Sequence, residues 1–594
     1  MAILADKQIL DLTGGLTLDK SDIQLEDNQL KDSLNCDLDE TGRLKRRRGI
    51  QQYGDDGSGV FDNSFVFWRQ TLGAAPTAYH LIATNAATSN IYRLVGTYTE
   101  AAVAVGDATI TVDTTGLFAG APGGDINING DIIAYTATGA TTFTTCTGIA
   151  RAHPAYSFVT QLRDEGAEAV NGLCGVYFSV LNNNLYIQGR LGGVIFNGVT
   201  FTAVTDTDEP AGLFATNYRE RIYCAGAAAV DAAGTRNGSP IRVSFSVAGG
   251  GANPITDMWG TSSGQYLINF FDVEDNRGES ITGLKELNDT LLIFKENSIF
   301  TYDEIQLKQR LWDVGAYNHR VIQRLGELIY TFCPTGVWVT NGFTAQKISD
   351  PVDKYLQTFQ PVFDTTLYRV VTNCFAGTFE GKYYLYLSDL EEPHSRNDIT
   401  LVYDTMKGNW TVHDGYKNFR HFASLKAFCQ GGPIVGQQKA CLFAGDSAGK
   451  YFRLFDNRFA DREAVRQLRG GDIIPDTFSE TQEGVQTTAE TKFYLMGDDL
   501  TQQARVRKIG ALVEQGTFQI AYRIDRGTHI TDWISLGDFR TTITERKLKE
   551  DFNTGYRISF KITSNDANVL GALNGIILKE RETLEKTKHG IKTK

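Results

Sequence analysis

The chain has 594 residues, 42% of them hydrophobic, and a formal net charge of −12. That length exceeds what one hydrophobic core supports and implies about two to four domains. The composition excludes a disordered chain. The charge is modest for this size and implies no bulk attraction to nucleic acid, so any DNA contact has to be local.

Glycine is abundant (60) and proline scarce (12), with 25 Tyr and 34 Phe, which suits many strands joined by glycine turns. No helical periodicity persists beyond about three turns, and no apolar run reaches the roughly 18 residues of a membrane helix. The eight cysteines stand singly, mostly in apolar runs, and are expected to be buried free thiols of a protein folded in a reducing compartment. The opening Met1-Ala2-Ile3-Leu4-Ala5-Asp6 lacks a charged n-region and an apolar h-region, so no signal peptide is expected.

Residues 1–60 are polar and read as an irregular N-terminal arm. They carry the densest positive charge of the chain, Arg43, Lys45, Arg46, Arg47 and Arg48. Two readings of such a cluster stand side by side: it lines a DNA path, or it meets an acidic neighbour at a subunit contact. The alternative is a solvated strand end whose guanidinium groups pair with Asp37 and Asp39. Residues 64–94 read as a first hairpin unit. Composition then shifts: 97–160 is rich in Thr, Ala and Gly with almost no Lys or Arg, and reads as a small all-β domain inserted in a loop.

From there to residue 456 one pattern returns roughly every 40–50 residues, as in Leu287–Phe294 followed by Ile299–Tyr302, or Leu328–Phe332 followed by Val337–Val339. A short apolar run meets a turn of Gly, Asn, Asp or Pro, then a second run follows with an aromatic near its end. A single hairpin pair cannot bury its apolar face alone, so the units are expected to pack radially. The fold expected is all-β, a β-propeller over 61–96 and 161–456 with six to eight blades, seven preferred. Residues 457–489 read as an arginine-rich linker, and 490–580 as a C-terminal β-sandwich-like domain with cleanly alternating strands. Residues 581–594 form a charged tail.

The search for chemistry returns little. No two of the eight histidines stand four apart, and no zincin, nucleophile-elbow or P-loop motif occurs. Asp125–Gly130 has the opening spacing of a calcium loop, but Thr136 stands where the twelfth-position Glu is required, so a hairpin turn is the better reading. Asp404, Asp414, Asp446 and Asp456 lie near strand ends, where a glycosidase could place a carboxylate pair, though acids there usually close turns. Trp338 and Trp410 could bind sugar but suit core packing better. No catalytic residue, cofactor or metal is expected.

A resemblance rests on specific residues. Gly14-Gly15-Leu16 followed by Asn35-x-Asp37-x-Asp39-x-x-Gly42-x-Leu44-x-x-Arg47-x-Gly49 is similar to the N-terminal signature of the β-propeller tail hub and nozzle proteins of tailed bacteriophages. Gly336–Gly342 with Lys347–Asp350, Leu401–Asp404 with Trp410, and Leu442–Gly449 resemble later blades of the same proteins, and the insert resembles a small β module common in phage tails. The resemblance implies a non-enzymatic structural protein of a short-tailed phage virion, assembled in the host cytoplasm. It implies a homo-oligomer, usually a hexamer, that continues the DNA channel below the portal and adaptor and meets tail fibre or tail needle proteins. No stable membrane insertion is implied. A receptor- or glycan-binding propeller is the second reading and a propeller glycosidase the third.

Overall fold

The structure, a computed structural model, describes residues 3–584 apart from short interruptions, the longer of which are 56–60, 70–77, 168–176, 227–238, 251–257, 260–268, 365–369, 389–397, 426–440, 455–459, 466–478 and 565–571. Strands dominate. The one α-helix among the described residues, Asp353–Leu356, has four residues.

Among the described residues, seven antiparallel sheets follow one another, each with four strands side by side. Sheet one holds Phe61–Arg69, Ala78–Asn85, Asn90–Tyr98 and Phe158–Ala167. Sheet two holds Tyr177–Leu181, Asn184–Gln188, Gly193–Phe196 and Phe201–Ala203. Sheet three holds Phe214–Tyr218, Arg221–Ala225, Arg242–Phe245 and Phe270–Asp272. Sheet four holds Ile281–Leu287, Thr290–Lys295, Ser298–Tyr302 and Leu307–Trp312. Sheet five holds Gln323–Leu325, Leu328–Cys333, Gly336–Thr340 and Ala345–Lys347. Sheet six holds Cys374–Phe379, Lys382–Ser388, Asp398–Asp404 and Asn409–His413. Sheet seven takes Phe419–Leu425, Cys441–Asp446 and Lys450–Leu454, and completes itself with Ile50–Asp55 from the N-terminal segment.

The sheets close into a β-propeller. Phe61–Arg69, the first strand of sheet one, packs against the first strands of sheets two and seven. Apolar cores fill the spaces between neighbours: Phe67, Ile187 and Phe196 between sheets one and two, and Phe61, Tyr92, Phe443 and Tyr451 between sheets one and seven. A sheet covered on both faces has apolar residues at successive positions, and Leu291-Leu292-Ile293-Phe294 is buried throughout for that reason.

The segment 97–160 leaves after the third strand of sheet one and returns as its fourth, since Asn90–Tyr98 and Phe158–Ala167 pair directly. Its hairpin Gly124–Ile128 and Asp131–Tyr135 continues that sheet outward through Asn127 opposite Thr160. Phe118, Phe143, Ile133 and Val95 share one small core, so the insert is fused to the propeller.

Two readings of the sequence need correction. Residues 1–60 are not an irregular arm. Their leucines are spaced by polar residues because the strands are short. Leu12, Leu30, Leu38 and Leu44 enter one core with Val506, Ile520, Tyr522, Phe560 and Leu578. That core lies between two sheets built from both ends of the chain. One carries Cys36–Leu38 and Leu44–Arg46 beside Ala504–Gln515 and Ala572–Thr583. The other carries Gly15–Leu16 and Gln29–Leu34 beside Thr487–Thr491, Phe518–Asp525 and Arg557–Ser564. The β-sandwich is thus built from both ends of the chain. The segment 457–489 is likewise more than a linker: Ala460–Val465 and Ser479–Gly484 pair as a hairpin, and Arg462 sits beside Gln51 of sheet seven. Residues 585–594 of the charged tail lie outside the described residues.

Candidate functional site

The densest polar network joins the sandwich to the fourth strand of sheet six. Asn35 is at its centre, 2% exposed and with φ of 54°, a left-handed geometry that Asn tolerates better than most residues. Its Nδ2 donates to Asp414 Oδ1 (2.5 Å) and Gln486 O (2.9 Å), while its Oδ1 accepts from the Asp414 amide (2.9 Å) and Arg47 Nε (2.8 Å). Both donors and both acceptor positions of the amide are therefore used. The Asn35 amide also donates to Val412 O at 2.7 Å.

Asp37 lies 3.0 Å from Lys382 Nζ and 3.5 Å from His413 Nε2. Burial alone would raise the Asp37 carboxyl, but the Lys382 charge and the hydrogen bonds from His413 and Lys382 outweigh that and hold it far below the usual carboxylate range. Lys407 Nζ donates to Leu38 O (2.7 Å), and Asn409 Nδ2 to Thr13 O (2.6 Å). Leu16 and Leu34 enter the propeller core beside Trp410 and Val412, and Trp410 Nε1 donates to Ile348 O at 2.7 Å. Four residues of the N-terminal motif, Gly15, Asn35, Asp37 and Arg47, thus help seat the sandwich on the propeller, Gly15 through its close approach to Asn409, where a Cβ would stand 2.8 Å from the Asn409 Cβ.

The basic cluster does not form one exposed patch. Arg46 and Arg47 are 2% and 1% exposed. Arg46 Nη2 donates to Val485 O (3.0 Å), and Arg47 Nη2 to Asp414 O (3.0 Å). They belong to the joint because a guanidinium offers several donors where many carbonyls converge. Lys45 and Arg43 both face Asp39, at 3.1 and 3.8 Å, and Arg43 also reaches Glu514 at 2.7 Å. Arg48 lies 3.7 Å from Glu380. A cationic ring or subunit contact built from this cluster is therefore limited to Arg43, Lys45 and Arg48.

A second construction occupies the propeller axis. The turn His319–Val321 is capped by Asn318, whose Oδ1 accepts from the Arg320 and Val321 amides and whose Nδ2 donates to Val371 O and Cys374 O at sheet six. The His319 ring stacks on Phe214 of sheet three (5.6 Å) and meets Tyr177 of sheet two edge-on (4.9 Å). Its Nδ1 accepts from the Leu284 amide of sheet four (3.2 Å), while Arg320 Nη1 donates to Arg420 O of sheet seven (3.4 Å). One short turn reaching sheets two, three, four, six and seven has to lie where they converge. Gly283 makes room for it: a Cβ there would stand 2.3 Å from Ile322 Cδ1. The axis is packed with protein at this level. The sequence carries no hint of this, since a lone His in a polar stretch has no signature.

The carboxylates singled out in the sequence act in turns and in the joint. Asp404 Oδ1 accepts from the Met406 and Lys407 amides, and Asp446 Oδ1 from those of Ala448 and Lys450. Asp414 bonds Asn35, and Asp456 lies outside the described residues. Trp410 is 1% exposed, and Trp338 is half-buried with its Nε1 donating to Thr335 Oγ1. The strands Gly124–Ile128 and Asp131–Tyr135 form the hairpin already described, and no metal-binding group of His, Cys, Asp or Glu occurs among the described residues. Cys36, Cys146, Cys224, Cys333 and Cys374 are buried free thiols. Cys174, Cys429 and the side chain of Cys441 lie outside the described residues.

A cleft of about 440 Å³ opens on the sandwich beside Lys7, Gln8, Asp27, Asn28 and Tyr494. Burial pushes the Lys7 ammonium down, and Asp27 is bridged by Lys492 at 2.5 Å. Sequence reasoning missed it because its residues come from opposite ends of the chain.

No family model and no curated protein matches the chain. Among solved structures it is similar to BamB from Moraxella catarrhalis, at 10% identity and a TM-score of 0.29, over 77% of this chain and 99% of that one. It is similar to the Pan2 WD40 domain of Neurospora crassa at 9% identity and 0.29, over 69% and 97%. It is also similar to an exo-β-1,3-galactanase from Phanerochaete chrysosporium at 10% identity and 0.22, over 68% and 95%. At these values the likenesses carry no argument about activity.

Proposed function

We propose that the chain is a structural subunit of a short-tailed phage virion, a tail nozzle or hub whose copies ring a DNA path, most simply as a hexamer. We read the seven sheets as seven blades. The observation that carries the proposal is the joint. Asn35, Asp37 and Arg47 fix a sandwich made from both chain ends to sheet six, giving a rigid two-part body of the kind that transmits load between neighbours. The packed axis adds a constraint: a DNA path has to run between copies of the chain, not through one propeller. Arg43, Lys45 and Arg48 are the cations of the cluster left to face such a path, and rotational symmetry would multiply each into a ring. The partners of this reading are portal and adaptor proteins at one end, and tail fibre or needle proteins at the other.

Negative-stain images and sedimentation of the purified chain test it. Sixfold rings are expected. Dispersed monomers that bind a glycan array would replace this reading with a receptor-binding propeller. Turnover of host polysaccharide, abolished by Asp404→Asn or Asp446→Asn, would replace it with a glycosidase.

A further inference from the structure

One face of the propeller repeats a device that the sequence does not advertise. In an up-and-down sheet the turn after the first strand and the turn after the third lie at the same end. At the third-to-fourth turns of sheets two, four, five and six an Asn or Asp accepts two backbone amides. Asn197 Oδ1 takes those of Val199 and Thr200, and Asp303 Oδ1 those of Ile305 and Gln306. Asn341 Oδ1 takes those of Phe343 and Thr344, and Asp404 Oδ1 those of Met406 and Lys407. In each, the residue two places after the Asx is apolar and held out to solvent. Val199 is 70% exposed, Ile305 84%, Phe343 58% and Met406 88%.

Four apolar tips on one face, each on a braced turn, are not the scattered exposure expected of any surface. The corresponding position of sheet one is the insert, and Ile50, opposite Leu454, marks where the chain arrives from the sandwich at that end of sheet seven. The ground around the tips is acidic. The exposed residues Glu220, Asp289, Asp303, Glu304, Glu327 and Glu380 sit in the turns of this face. The cations that reach it are already engaged: Arg219 with Asp289 (2.6 Å) and Glu304 (3.4 Å), Arg324 with Glu286 (2.6 Å), Arg48 with Glu380 (3.7 Å), Lys407 with Asp404 (2.9 Å), and Arg310 with Thr301 Oγ1 (3.0 Å) and over the Phe343 ring (5.5 Å). The Arg219–Asp289 pair ties the turn of sheet three to that of sheet four, and the Arg324–Glu286 pair ties sheet five to sheet four, along the arc on which the tips stand.

We propose that this arc is a docking surface for a protein partner that presents lysine and arginine side chains around an apolar ridge. The apolar tips supply contact area, and the surrounding carboxylates select for cationic neighbours and against phosphate backbones or anionic lipid. Preformed turns lose little conformational freedom on binding. The proposal stands whether or not the chain forms rings.

The test uses the full chain and the variant Ile305→Ser, Phe343→Ser, Met406→Ser, which keeps every charge and changes only exposed side chains. The probe is a peptide of alternating leucine and lysine, with a leucine–glutamate peptide and phosphatidylglycerol vesicles as comparisons. The native chain is expected to bind the leucine–lysine peptide, with hydrogen-exchange protection at residues 303–306, 341–344 and 404–407. The variant is expected to bind it about tenfold more weakly or worse. Equal binding by the variant, protection elsewhere, or vesicle binding that the serine changes abolish would overturn the proposal.

Discussion

Asn35 and Asp414 hold each other across the line where the sandwich meets the propeller. The side-chain amide of Asn35 donates to the Asp414 carboxylate, and the Asp414 backbone amide donates back to the Asn35 side-chain oxygen. The two lie 379 residues apart in sequence. The contact therefore forms only once sheet six is complete and the N-terminal strands have reached it.

Asn35→Gly keeps the left-handed backbone at φ of 54° but deletes four side-chain hydrogen bonds, one of them from the buried Arg47. Leaving a buried guanidinium short of an acceptor costs about 2–4 kcal/mol. Calorimetry should show one cooperative unfolding transition for the native chain and two for the variant, as sandwich and propeller uncouple. One unsplit transition at the native temperature would show that the joint is not coupled through Asn35.

Gly15 has φ of +65°, and a Cβ there would stand 2.8 Å from both Asn409 Cβ and Trp410 O. Gly15→Ala adds left-handed strain of about 1–2 kcal/mol to that clash. The expected result is faster hydrogen exchange at residues 409–413 and a stability loss of about 3 kcal/mol or more. Gly326→Ala is the control, since it also has positive φ but nothing lies within 4 Å of its Cβ position, and it should cost only the backbone strain.

His319 gives the propeller a defined acid sensitivity. Burial, with Lys285 and Arg320 nearby, holds its imidazole well below the ordinary histidine range. The unfolded chain therefore takes up a proton on this residue, near pH 6.5, before the folded one does. Stability is unaffected above that pH and falls as pH drops from about 6.5 toward the depressed folded value. The Asp37 carboxyl, shifted down, contributes only below about pH 4, so the two windows separate. His319→Gln retains an acceptor for the Leu284 amide and should reduce the fall of urea-derived stability between pH 4.5 and 6.5, the remainder coming from His413, which burial also holds below the ordinary histidine range. A slope unchanged from the native chain would place the acid sensitivity elsewhere.

The buried thiols should be silent in the folded protein. Burial pushes Cys36 up to about 12 and Cys146 to about 11, which leaves little thiolate at neutral pH. An alkylating reagent at pH 7.5, followed by peptide mapping, should leave Cys36, Cys146, Cys224, Cys333 and Cys374 unlabelled until denaturant is added. Disulfides among these five in freshly prepared, alkylated protein would contradict the arrangement.

How far the fold could be read depended on whether the relevant contacts were local. Runs such as Leu291–Phe294 beside Ile299–Phe300 announce a hairpin within a dozen residues, and the propeller was visible through them. Leu30 and Leu44 looked like isolated apolar residues in a polar arm because their partners, Phe560 and Leu578, lie at the other end of the chain. The same non-locality hid the role of Arg47. A row of arginines in sequence is indistinguishable from surface charge until Asn35 and the Asp414 carbonyl come round to meet it. The exposed turn tips escaped notice for the opposite reason: Asn-Gly-Phe-Thr and Asp-Glu-Ile-Gln differ in every residue and share only the Asx-turn geometry.

The neighbouring arginines Arg47 and Arg48 separate the structural part of the basic cluster from any functional part. Arg47 is 1% exposed and donates to Asn35 Oδ1, Arg48 O and Asp414 O, so Arg47→Glu puts a carboxylate among acceptors with no donor to meet it. An uncompensated buried charge of this kind costs roughly 3–5 kcal/mol, and the expected outcome is loss of soluble, folded protein. The Arg48 side chain is 42% exposed and 3.7 Å from Glu380, a pair worth well under 1 kcal/mol in water. Arg48→Glu, alone or with Arg43→Glu, should therefore leave the melting temperature within about 3 °C of native. If copies of the chain do ring a DNA path, the Arg43→Glu, Arg48→Glu phage should assemble poorly or eject DNA at an altered rate while its purified subunit remains folded. Normal assembly and ejection would remove the cationic ring from the proposed function and leave both arginines as surface charge. A folded Arg47→Glu protein would instead refute the buried joint itself, so the two outcomes cannot be confused.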